Sequence, residues 1–251
     1  MTIKKLLFIT SLLALFSCTP GREHTPGICL SFDDRSIDEW YEMMPMLDRY
    51  QAHVTFFVSQ MDSLNPDQIL KLKTIEARGH EIGSHGALHV NAETYIKEHG
   101  YDEYLQKEVD RSIDEMNLHG FDPVTFAYPY GAKYWFTDFL LLQRFNRVRS
   151  VSAIGADDIT TLDDIYYNFD GDDKLSAVGI DVNSGLTREM VRRAAGRASN
   201  RKEVLMLYGH HPAVEGDSTY RFDPEFLEFI LNECRKNGLR FYTFAELEKI
   251  E

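Results

Sequence analysis

From about Thr25 onward the chain repeats one pattern, a short apolar run followed by a segment with helical spacing. The runs are 28–32, 54–58, 81–83, 125–128, 148–152, 177–180, 204–208 and 240–242. The helical segments include 37–50, 66–78, 101–118, 133–145, 187–199 and 224–236; in the last, Phe226, Leu227, Ile230 and Leu231 fall on one face. Short apolar strands alternating with helices imply a parallel sheet with both faces covered. Seven or eight such units predict an α/β fold, a distorted (β/α) barrel of seven to eight strands, rather than an open sheet. No Pro- or Ser-rich linker interrupts the pattern, so 25–251 reads as one domain, with 157–174 as a long rim loop.

In such a barrel, chemistry lies at the C-terminal ends of the strands. The chain places polar residues there. Asp33 and Asp34 end the first run, and His85 and His89 follow the third in a glycine-flanked H-x-x-x-H loop. Tyr128-Pro129-Tyr130-Gly131 ends the fourth, Asp181 ends a later one, and His210-His211 follow 204–208. One carboxylate and two imidazoles can hold a borderline divalent metal and leave positions open for water and substrate. The second carboxylate is then free to act as a base. A strand-end Asp often caps the next helix, but Ser36 with Glu39 three residues on predicts a capping box that leaves Asp33 and Asp34 free. Of His210 and His211, one is expected to point into the site and the other away. His53, His80, His99 and His119 read as structural or exposed.

Residues 1–18 are a separate object. Lys4-Lys5 precede an apolar stretch, 6–16, too short to span a bilayer, so the segment reads as an export signal. Its ending, Leu15-Phe16-Ser17-Cys18, resembles a bacterial lipobox in which the cysteine is lipidated. The expectation is an exported protein of the bacterial cell envelope, periplasmic or outer-membrane, touching the membrane only through a lipid anchor at Cys18. A net charge of −13 argues against nucleic acid as a partner. Cys29 and Cys234 read as small buried hydrophobes.

Taken in order, Ser31-Phe32-Asp33-Asp34, His85-x-x-x-His89, Tyr128-Pro129-Tyr130-Gly131 and Leu205-Met206-Leu207-Tyr208-Gly209-His210 resemble the motifs of the polysaccharide deacetylases, the NodB-homology domains of carbohydrate esterase family 4. The resemblance implies a NodB-like barrel and a metal-dependent hydrolase that removes N- or O-linked acetyl groups from a carbohydrate polymer or oligosaccharide. An acetylated glycan would be its partner. Asp34, His85 and His89 would hold zinc, or another divalent first-row ion, and Asp33 would be the general base. The Tyr130 amide would help hold the oxyanion, His210 would be the general acid, and Asp181 would orient it. Tyr128, Tyr130, Tyr134 and Trp135 could form an apolar floor for a sugar ring.

The chain also departs from the family pattern. Arg35 stands where Gly is usual, Gly86 replaces a loop-fixing Ser or Thr, and Ala127 replaces the arginine that pairs with the base. Val182 occupies the place of a Trp, and Tyr208 that of a Leu lining the acetyl pocket. Arg35 is expected to restore the charge lost at Ala127 and keep Asp33 ionised. Two other functions remain open: a catalytically impaired glycan-binding lipoprotein of the same fold, or a metal-dependent amidohydrolase acting on a non-sugar amide.

Overall fold

The computed structural model describes residues 24–155 and 158–247, so the expected export signal and Cys18 lie outside the described residues. The main sheet contains β1 (Gly27–Asp34), β2 (Thr55–Val58), β3 (Glu81–Ser84), β4 (Thr125–Ala127), β5 (Arg147–Ser152), β6 (Tyr166–Tyr167), β7 (Lys174–Gly179) and β8 (Val204–Gly209). The short strands β9 (His211–Pro212) and β10 (Arg221–Phe222) pair with each other, and β11 (Arg240–Tyr242) returns to the main sheet. β1 to β5, β7 and β8 run parallel, and β8 pairs back onto β1 to close a seven-stranded barrel.

Two insertions distort the ring. β2 reaches only Ser31–Asp34 of β1, and β11 fills the space beside Gly27–Cys29. The run 240–242 therefore joins the sheet without being an eighth member of the ring. On the other side, β6 lies antiparallel against Val204 and Leu205, while β7 meets β8 only at Leu207 and Tyr208.

Strand alternation sorts the core. Ile28, Leu30 and Phe32 pack outward with the surrounding helices, in a cluster that includes Trp40, Leu47, Ile230 and Leu231. Cys29 packs instead with Phe57, Ala127, Ala177 and Met206, a smaller cluster fed by the alternate strand positions that fills the barrel interior. Cys29 and Cys234 are free and buried, and burial pushes both thiols up.

The helices depart from the sequence expectation where local chemistry intervenes. The segment 37–50 is two helices, Ile37–Glu42 and Met44–Tyr50. Pro45 in the first turn of the second has no amide to continue the first. A helix at Ala92–His99, capped by Asn91, was not expected. The segment 101–118 carries a wide π turn at Leu105–Asp110 between Tyr101–Tyr104 and Arg111–Leu118. Ser36 precedes the helix Ile37–Glu42, but its side chain makes no capping bond. The hydroxyl lies 3.1 Å from His211 Nδ1 instead.

Candidate active site

The register of the first three barrel strands sets Asp34 beside Val58, and Val58 beside Ser84, at one height on the C-terminal rim. Asp34 and the loop that begins at His85 thus meet. Asp34 Oδ1 lies 3.0 Å from His89 Nε2 and 3.6 Å from His85 Nε2. One ligand atom from each residue lies within 4.8 Å of the others. Two ligand atoms each ~2.1 Å from a tetrahedral zinc lie about 3.4 Å apart, so the trio has the size a first-row ion requires.

The protonation states agree with that use. The buried His85 ring places Nδ1 2.8 Å from the Ala127 carbonyl, so Nδ1 carries the proton and Nε2 keeps its lone pair towards Asp34. Burial lowers the His85 pKa to about 4, which keeps the ring neutral. Burial pushes Asp34 up, but the His89 hydrogen bond and the nearby imidazoles outweigh it and hold the carboxyl well below the usual range. Asp34 (φ 85°), His89 (φ 59°) and Tyr130 (φ 62°) all have left-handed backbones. For non-glycine residues this conformation is costly and tends to occur at functional sites.

Asp33 faces the barrel interior, almost fully buried. Its partner is not Arg35. The Arg35 guanidinium turns away to donate to Ser63 Oγ at 2.7 Å in an exposed contact. Arg149, on β5, donates to Asp33 Oδ2 at 2.5 Å, and its side chain is completely buried. The sheet register makes Arg149 the direct neighbour of Ala127, so the arginine sits one strand over at the same height. It lies against the rings of Phe57 and Tyr208, with centroids 5.4 Å and 4.8 Å from Cζ. Tyr208, at the place of the expected Leu, thus gives the relocated cation an aromatic face. Asp33 Oδ1 is buried and has no hydrogen-bond partner among the described residues.

His210 completes the opposite side. Its Nδ1 lies 2.5 Å from Asp181 Oδ2, and its amide donates to Asp181 Oδ1 at 3.2 Å. Trp40 Nε1 donates to the His210 carbonyl at 3.0 Å, fixing the backbone from below. Burial lowers the His210 pKa, but the Asp181 hydrogen bond and the charges of Asp33, Asp181 and Asp34 outweigh it, so the net shift is upward. His211 bonds Ser36, and both line the same cavity as His210, so the second histidine does not point away from the site as expected.

Asp33, Asp34, His85, His89, Tyr130 and His210 line one cavity of about 800 Å³. The Tyr130 ring lies 5.0 Å from that of His89. The bonds of its turn run from Gly131 N to Tyr128 O and from Ala132 N to Pro129 O, and do not use the Tyr130 amide. Gly131 is required here, since a Cβ would stand 2.2 Å from Val151 Cγ2 at a φ of +65°. The expected aromatic floor is only partly present. Tyr128 is buried, its hydroxyl donating to Asp138 at 3.0 Å, while Tyr134 and Trp135 lie outside the cavity lining. Val182 is exposed and does not wall the cavity.

Residues 21–144 match the family model described as polysaccharide deacetylase. No curated protein matches the chain. Solved structures share the fold at low identity. A putative polysaccharide deacetylase from Mycobacterium smegmatis is 17% identical with a TM-score of 0.61, covering 90% of this chain and 89% of that one. The catalytic domain of a peptidoglycan N-acetylglucosamine deacetylase from Eubacterium rectale is 17% identical with a TM-score of 0.53, covering 90% and 92%. A CE4 family pseudoenzyme from Bacillus anthracis is 11% identical with a TM-score of 0.59, covering 90% and 66%.

Proposed function

We propose that this chain, a relative of the polysaccharide deacetylases, removes acetyl groups from a carbohydrate polymer or oligosaccharide by metal-dependent hydrolysis, with zinc as the ion. One observation carries the reading: the Asp34–His85–His89 trio, the Asp33–Arg149 pair and the His210–Asp181 pair meet around a single cavity. A shared fold would not separate an enzyme from a pseudoenzyme such as the Bacillus anthracis relative. The complete set of ligands, base and acid favours the enzyme.

A divalent ion held by Asp34, His85 and His89 would supply a Lewis acid for the acetyl carbonyl and make a water more acidic. Arg149 occupies Asp33 Oδ2 and leaves Oδ1 as the lone pair that takes the water's proton. The left-handed turn at Tyr130 offers its amide to the oxyanion, a donor of a kind typically worth ~3–4 kcal/mol. With Nδ1 engaged by Asp181, His210 presents Nε2–H to the departing amine, and its raised pKa keeps that proton available near neutral pH.

The relative named as a peptidoglycan N-acetylglucosamine deacetylase supports an acetamido sugar as substrate. On residues 1–18 alone, the same reading places the mature protein in the cell envelope, anchored at Cys18. The test is acetate release from peptidoglycan, chitin oligomers and acetylated xylan, with the protein stripped of metal and then reloaded with zinc. Asp34→Ala and His85→Ala are expected to lose zinc. Asp33→Asn is expected to keep zinc and lose turnover by roughly 10²–10⁴-fold. Zinc uptake without acetate release from any glycan would refute the deacetylase reading, and full activity in Asp33→Asn would refute the base assignment.

A further inference from the structure

Among the described residues, Glu108 is the one fully buried carboxylate that hydrogen-bonds the metal-ligand loop without belonging to the ligand trio. It sits on the π turn Leu105–Asp110, whose extra residue re-aims a helix face. Its Oε2 accepts the Leu88 amide at 2.6 Å and its Oε1 the Val90 amide at 3.0 Å. The Glu108 carbonyl accepts the Ala87 amide at 3.0 Å. One residue therefore grips the loop on both sides of His89, the ligand whose own backbone is left-handed. A free loop would abandon that conformation, since a non-glycine residue pays to hold it.

The neighbouring glycine completes the arrangement. A Cβ on Gly86 would stand 2.0 Å from Glu108 Oε1, and the Gly86 backbone is itself left-handed at φ +84°. Gly86 and Glu108 thus fit only as a pair: the carboxylate fills the volume in which any side chain at 86 would begin. Gln60 holds the outer side of the same loop, its amide donating to the Gly86 carbonyl at 2.9 Å and its side chain to the Leu88 carbonyl at 3.2 Å.

We infer that Glu108 is a positioning residue for the metal site: its carboxylate, seated in the space left by Gly86, clamps the amides of Leu88 and Val90 and so presets His89 beside Asp34 and His85. The inference rests on the reading of those three residues as ligands. It adds a residue that touches neither metal nor substrate and acts through the loop.

Four variants test it: Glu108→Gln, Glu108→Ala, Gly86→Ala, and the last two combined. Zinc affinity is measured by competition with a chromophoric chelator, and amide hydrogen exchange at residues 87–90 is followed in the metal-free protein. Glu108→Ala is expected to weaken zinc binding by about 10–100-fold, the usual effect of removing a group that orients a ligand. Glu108→Gln, which keeps an acceptor oxygen, is expected to recover part of that loss. Exchange at Leu88 and Val90 speeds up in Glu108→Ala without any metal present. Gly86→Ala weakens zinc as well, and the double variant is no worse than the weaker-binding single one, because both break the same clamp. A Glu108→Ala protein that melts earlier yet binds zinc within twofold of wild type would overturn the inference, leaving Glu108 a core residue only. If the wild type takes up no zinc, the ligand reading fails, and the exchange data alone decide the clamp: faster exchange supports it, unchanged exchange overturns it.

Discussion

Replacing Arg149 by methionine tests the core of the proposed chemistry. The substitution keeps an unbranched apolar stem between Phe57 and Tyr208 but removes the one cation that, among the described residues, forms an ion pair with Asp33. The Arg149 and Asp33 side chains are 0% and 3% exposed, so solvent cannot replace the lost partner. Breaking a buried ion pair from one side costs about 3–5 kcal/mol. The protein can meet this cost by unfolding more easily or by neutralising the stranded carboxylate with a proton. At ~1.36 kcal/mol per pH unit, the second route alone displaces the acid limb of the pH–rate profile upward by roughly 2–4 units. Turnover then falls steeply on the acid side of the profile, about tenfold for each pH unit below the displaced limb, and recovers as the pH is raised. The assay is acetate release by the zinc-loaded protein between pH 5 and 9, with urea unfolding run in parallel to divide the cost between the two routes. Arg35→Ala serves as the control: its exposed bond to Ser63 is worth little, and activity should stay at the wild-type level. Moving the arginine back, in Ala127→Arg with Arg149→Ala, should return the acid limb towards its original place, because the two positions are register partners. An acid limb left in place in Arg149→Met, or an equal displacement in Arg35→Ala, would refute the reasoning.

Two further predictions follow from titratable groups. The Asp181 contact contributes to the upward shift of His210, so the alkaline limb of the wild-type profile should lie above the ordinary histidine value of ~6.5. In Asp181→Asn it should move to lower pH, with kcat reduced; an unmoved limb would exclude His210 as the acid. His80, away from the site, accepts the Val54 amide at 3.2 Å through Nδ1, and burial lowers its pKa to about 4. The native state then binds fewer protons than the unfolded chain, so its contribution is complete above ~6.5 and is lost as pH falls towards 4, on the order of 2–3 kcal/mol. Urea midpoints at pH 7 and 4.5 should differ less in His80→Gln, whose amide oxygen can still accept from Val54; an unchanged difference would exclude His80 as the source.

The ligand trio was legible in the sequence because strand position encodes height. A residue that ends a parallel barrel strand stands on the rim whatever the details of packing, and Asp34, His85 and His89 all do. The closing of the barrel was legible for a similar reason, in the number and apolar character of the runs. What failed were inferences that treated nearness in sequence as nearness in space. Arg35 adjoins Asp33 along the chain but bonds Ser63, and Ser36, read as a helix cap, bonds a histidine 175 residues away. The true partner did leave a trace. In Arg147-Val148-Arg149-Ser150-Val151-Ser152, alternation puts two arginines, Arg147 and Arg149, on one face of a strand expected to be covered on both faces, and a buried arginine needs an anion. Which anion it meets depends on the register between β4 and β5 and on the far wall of the barrel, and neither is a local property. Glu108 was harder still, because the π turn that aims it shifts the helix face by about one residue, or ~100°, relative to the regular helix read from the pattern. The departures at Ala127 and Tyr208 therefore belong together: the arginine that pairs with Asp33 stands one strand along, and the residue at the second departure is an aromatic against which it lies.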